Sequence, residues 1–196
     1  MTDQINLVRA SEVGKLPVVT IDGGEDAAEI KDVVYDASRH HLVGFTLNKR
    51  GWFRGTMKET LATENVAGIG PDAVMIESDA CLNAADSAPE QLDRTGENYS
   101  VIGVPVVSSG GAALGTVVDV VIETGPDPKA VGYEVDNDGN RIFVPTSAQM
   151  GLSGDNLVVP AEADEFVRND LAGFGAAVSS FRDLLAGRGD ARGATS

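Results

Sequence analysis

Two hydrophobic rhythms divide this chain. Between residues 17 and 159 the apolar positions fall in short runs broken by glycine, proline and aspartate, the mark of β-strands joined by turns. The first run, 17–21, stops at Asp22-Gly23-Gly24, a turn because glycine takes positive φ at no steric cost. A second strand is predicted over 29–35, with Ile30, Asp32 and Val34 on one face and Lys31, Val33 and Tyr35 on the other. A third covers 42–48. Lys49-Arg50-Gly51 then turns the chain into a strand over 52–57, residues 60–66 read as a connector with room for one helical turn, and 73–76 closes the set. Ahead of them, 7–13 is a lead-in with one helical turn and Ser11 as its cap.

After residue 160 the period changes. Val167, Leu171, Phe174, Val178, Phe181 and Leu185 recur at alternating steps of four and three, which predicts an amphipathic helix within 161–186, beginning near Ala163 or Asp164 behind Pro160. Gly173 and Gly175 weaken it by about 1 kcal/mol each relative to alanine. The stripe therefore needs support, either by clamping a barrel or by pairing with a second copy. The glycine-, arginine- and alanine-rich stretch 187–196 is expected to be disordered.

The strand pattern occurs twice. Pro17-Val18-Val19, Gly23-Gly24 and the apolar run around Asp32 return as Pro105-Val106-Val107, Gly110-Gly111 and the run around Asp119. Val43-Gly44-Phe45 returns as Val131-Gly132-Tyr133, and the run 69–76 returns as 152–159. A repeat of this length is a duplicated module, and short strands at such spacing argue for small barrels or sandwiches. The expected organisation is a module at 7–76, an acidic linker at 77–98 and a module at 99–160. The helix and the tail complete it. The hairpin Asp136-Asn137-Asp138-Gly139-Asn140 contains the Asp-Gly pair that favours a tight turn.

Composition narrows the function. The net charge is −15, which repels phosphate backbones and disfavours general nucleic-acid binding. Cys81 is the single cysteine, so there is no internal disulfide and no thiolate metal site, in keeping with a reducing, cytoplasmic setting. No apolar run is long enough to span a membrane, and Met1-Thr2-Asp3-Gln4 lacks the features of a signal peptide. Aromatic residues are only 5% of the chain, which leaves Val, Ile, Leu and Ala to fill the cores.

Pro-Val-Val, Gly-Gly, a strand containing one Asp among valines, then Val43-Gly44-Phe45, Gly51-Trp52-Phe53-Arg54 and Ile69-Gly70-Pro71-Asp72-Ala73-Val74 resemble the PRC-barrel family. That family takes its name from the cytoplasmic domain of the photosynthetic reaction-centre H subunit, and a similar barrel forms the C-terminal half of the ribosome maturation factor RimM. The resemblance covers 7–76 and 99–159, and the second copy lacks the Gly-Trp-Phe-Arg hairpin. It implies a mainly β fold of two small PRC-like barrels in tandem, which dock onto other macromolecules without catalysis.

Candidate chemistry is sparse. Arg39, Lys49, Arg50, Arg54 and Lys58 stand in a span without an acid, with Trp52 and Phe53 between them. Lys49, Arg50, Trp52, Phe53 and Arg54 are the candidate partner contact, weighed against a solvated hairpin tip. Asp32 and Asp119 have no neighbouring histidine or nucleophile to make an acid–base pair. The 136–140 loop starts like a calcium loop, but Arg141 and Ser147 stand where glycine and glutamate are needed. His40 and His41, adjacent on a strand, point to opposite faces. No phosphate loop or nucleophile elbow occurs. The expected function is a non-enzymatic adaptor without cofactor or metal, binding cytoplasmic protein partners and able to form a homodimer. The alternatives are a ribosome-assembly factor docking a ribosomal protein or rRNA through 49–54, and a peripheral membrane-complex assembly protein.

Overall fold

In the computed structural model the described residues are 5–36, 41–50, 55–82, 101–125, 127–147, 151–153 and 155–193. The chain is mainly β, with two sheets and one long C-terminal helix. The strands are β1 (Leu7–Arg9), β2 (Pro17–Thr20), β3 (Asp26–Asp36), β4 (His41–Asn48), β5 (Thr56–Ala62), β6 (Val66–Ile69) and β7 (Val74–Ile76), followed by β8 (Pro105–Ser108), β9 (Ala113–Glu123), β10 (Lys129–Asn137), β11 (Asn140–Pro145), β12 (Gly151–Ser153) and β13 (Asn156–Val159). A single helical turn, α1 (Ala10–Val13), comes early, and α2 (Leu171–Gly193) closes the chain.

The duplication is written into the topology. One sheet runs β5-β4-β3-β2-β7-β6 and the other β11-β10-β9-β8-β13-β12, the same order with each strand replaced by its repeat. In both, the first strand of the module pairs in parallel with its last: Val18 lies opposite Val74, and Val106 opposite Leu157. Both carry a register shift at the same place, between Val18 and Val19 and between Val106 and Val107. Past that shift the turn is held alike. Thr20 Oγ1 accepts the Glu25 N–H at 3.2 Å, and Ser108 Oγ accepts the Ala112 N–H at 3.3 Å. Both hydroxyl residues are buried at 3% exposure, so each bond satisfies a side-chain oxygen that is turned away from bulk solvent.

The chain divides into two compact units whose borders cut across the repeat. One is Val8–Val101 with Ile122–Ala130; the other is Met1–Leu7, Ile102–Val121 and Val131–Ser196. Ile122, at the far end of the 11-residue β9, is fully buried in the first unit's core among Val18, Ile30, Phe45, Leu47, Leu61 and Ile76. By its contacts the 122–130 stretch groups with the first unit.

Several elements differ from the sequence expectation. The lead-in is a strand and then a turn of helix. Glu12, three residues along, accepts the Arg9 N–H at 3.1 Å, so Arg9 and not Ser11 stands at the cap. On β3 the clean alternation fails because Ile30 faces Leu47 and Asp32 faces Thr46, which leaves Lys31 as an extra residue. That bulge moves Asp32 off the buried face of Ile30, and Asp32 is exposed while Ile30 is fully buried. Of the strand expected over 52–57, residues 52–54 lie outside the described residues; the connector expected over 60–66 is the end of β5 (Thr56–Ala62), a 3-10 turn at Thr63–Asn65 and the start of β6. The pairing of Phe45 with Leu61 and of Gly44 with Ala62 recruits Thr60, Leu61 and Ala62 into the ladder. The hairpin at 137–140 forms, with Asp138 at φ 52° and Gly139 at φ 86°.

Candidate interaction site

The basic hairpin starts at the end of β4. Lys49 and Arg50 are both exposed, and the Lys49 N–H donates to the Gly55 carbonyl at 2.8 Å, closing the base of the loop. The Arg50 guanidinium reaches the Asp26 carboxylate at 3.0 Å. Both side chains are partly exposed, so the pair contributes about 0–1 kcal/mol and chiefly orients Arg50 against the start of β3. Trp52, Phe53 and Arg54 lie outside the described residues, as does Arg39. Lys58 is exposed on β5.

The apolar stripe of the C-terminus is not one helix. Ala161–Phe166 is a 3-10 helix, anchored where the Ala161 N–H donates to Ser109 Oγ at 2.9 Å. Val167 follows in extended conformation, half-buried. Arg168 then pairs with Phe143 on β11: the Phe143 N–H donates to the Arg168 carbonyl at 2.7 Å, and the Arg168 N–H returns a bond at 3.1 Å. A backbone engaged with a sheet cannot also run as α-helix, so the helix begins only after Asp170. The Asp170 carboxylate accepts the Gly173 N–H at 2.7 Å, making Asp170 the cap in place of Ala163 or Asp164. The helix then continues to Gly193, past the expected end at 186.

Once started, α2 covers the second unit. Phe174, Ala177, Val178 and Phe181 are at most 2% exposed; the first three pack with Val121, Val131 and Phe143, beside Ile5, Leu7 and Leu171. The rings of Phe174 and Phe143 lie 5.6 Å apart and tilted by 35°, and Phe181 meets Phe166 at 5.2 Å. Gly132 on β10 forms the floor of this seat. A Cβ there would strike the Phe174 ring and lie 2.6 Å from the Val144 carbonyl oxygen. Its repeat, Gly44, is close-packed too, against the Leu61 carbonyl. Leu185 is half-buried, and Leu184 beside it is 37% exposed. The cap at Asp170 and the bridge at Arg168 were hidden from the periodicity. An Asp immediately before Leu171, with a backbone N–H three residues on, is the signal that marks the true start.

The acids singled out in the sequence serve the fold. Asp119 is 8% exposed, and its Oδ1 accepts the Val120 N–H at 2.8 Å. Asp32 receives the Thr46 hydroxyl at 3.3 Å and the Lys31 ammonium at 3.4 Å. Asp136, in the loop that begins like a calcium site, accepts the Gly139 N–H at 2.8 Å and meets Arg141 at 3.5 Å. Among the described residues no group of three or more His, Cys, Asp or Glu side chains is placed to hold a metal ion. His41 is exposed at the start of β4, and His40 lies outside the described residues. No helix among the described residues is long and apolar enough to cross a membrane.

Two sheets that share one six-strand order, one of them with β1 added against β9, each with a parallel pairing of β2 with β7 or β8 with β13, define a tandem of small β-barrels built by duplication. The family model for the PRC-barrel domain matches residues 5–80 and again 97–166, and the chain belongs to that family. PRC-barrel domains are generally non-catalytic. Among curated proteins no match to the chain is found.

Proposed function

We propose that this protein is a non-enzymatic adaptor whose two PRC barrels bind protein partners in the cytoplasm. The observation that carries the reading is the use made of its polar side chains. The carboxylates of Asp119, Asp136 and Asp170 each accept a backbone N–H, and the hydroxyls of Thr20 and Ser108 hold turns. Groups committed in this way build a scaffold, and function then falls to the surface. The proposed contact on the first unit is the basic stretch that follows β4, with Lys49 and Arg50 exposed and Trp52, Phe53 and Arg54 next in sequence, on a chain of net charge −15. An acidic protein surface is the partner chemistry that suits it. The burial of Phe174, Val178 and Phe181 supports the clamping role for the C-terminal stripe over a free dimer face.

The test is crosslinking in cells with the full chain, identification of the captured proteins, and titration of each purified candidate against the purified chain. A partner whose Kd rises at least about tenfold on Lys49→Glu with Arg50→Glu supports the reading. No protein binding directly, beside turnover of a small substrate by the same preparation, overturns it.

A further inference from the structure

We propose that α2 is a latch, opening from its seat on the second unit as one piece while the sheet beneath stays folded. The first ground is the repeat. The six-strand path with its parallel closing pair recurs in both sheets, so the helix is an addition to a sheet that is already complete. The second is the weakness of α2 as a helix. Gly173, Gly175 and Gly187 lie within it and lower its helix propensity, and the hydroxyls of Ser179 and Ser180 donate back to the Gly175 and Ala176 carbonyls at 3.3 and 3.0 Å, a bond that slightly disfavours the helical ladder. Away from its seat, α2 has little reason to remain helical.

The third ground is where the attachment lies. The buried contacts fall on Phe174, Ala177, Val178 and Phe181, whereas Asp183, Leu184, Ala186 and Gly187 are exposed. The backbone link between this segment and the sheet is the Phe143–Arg168 bridge, which precedes the helix. Opening at 169–170 thus leaves the bridge and the 3-10 helix in place. It bares Val121, Val131 and Phe143, so that the latch governs whether an apolar face reaches the surface.

Native-state hydrogen exchange of the full chain in sub-denaturing urea tests this. The amides of 174–181 should share a single urea-dependent opening, with protection at least about a hundredfold below that of β10 and β11. Phe174→Leu should lower the α2 protection by a further tenfold or so, and that of β10 and β11 by the same factor, because the closed state is the reference for both openings; the gap between helix and sheet should remain. Phe181→Leu gives the same reading if that variant does not fold. Two results overturn the proposal. In one, the α2 amides exchange only with the sheet, on a common urea dependence. In the other, they exchange one by one without urea dependence, which is fraying.

Discussion

Gly132→Ala probes how tightly the helix and the second sheet are fitted. The added methyl meets two obstacles of different kinds. One is the Val144 carbonyl oxygen at 2.6 Å, part of the β10–β11 ladder, which cannot turn aside. The other is the Phe174 ring, which can leave only by giving up a fully buried position and its contact with Phe143. Overpacking of this sort costs about 1–3 kcal/mol, and displacing the ring should bring the total to about 3 kcal/mol or more. Phe174→Ala alone should cost about 3–5 kcal/mol as a buried aromatic deletion. In the double variant the ring clash is gone and only the carbonyl contact remains. The two costs should therefore fall short of additivity by about 1 kcal/mol or more. Equilibrium urea unfolding followed by circular dichroism, on the wild type, both single variants and the double, measures the cycle. Strict additivity would refute the claim that Phe174 rests on Gly132. A cost below about 1 kcal/mol for Gly132→Ala would refute the close packing itself.

Three further outcomes can be checked on the same chain. Gly44→Ala, the repeat position in the first unit, meets the Leu61 carbonyl but no helix ring; its cost of about 1–3 kcal/mol should be the same with and without Phe174→Ala. Asp170→Ala removes the cap of α2 and should cost about 0.5–2 kcal/mol in urea unfolding, with Asp170→Asn recovering most of it. Arg50→Glu breaks a partly exposed pair with Asp26, so a double-mutant cycle of the two should give a coupling of no more than about 1 kcal/mol, shrinking in high salt.

The misplacements between sequence and structure have a common origin. Val167 shares the period of Phe174 and Phe181, and by spacing it belongs to their helix. It lies outside because Arg168 satisfies its backbone on the edge of β11, a partner more than twenty residues away. Asp32 sits in phase with Ile30 and Val34, yet the extra residue at Lys31 turns it to the surface. Thr60 reads as connector by composition and becomes strand because Thr46 lies opposite it. In each case a hydrogen-bonding partner distant in sequence overruled a local preference.

The duplication, the mainly β character of both modules, the turns at Gly23-Gly24 and Asp138-Gly139, and the apolar side of the C-terminal helix are all legible in the order of residues. These depend on periodicity and on the φ values a residue tolerates, and both are local properties. It takes the folded chain to show that Ile122 fills the core of the first unit, that Gly132 makes room for Phe174, and that Asp170 starts the helix. A hydrophobic pattern states which face of an element must be covered. What covers it depends on volumes and backbone bonds that meet only after the chain has folded.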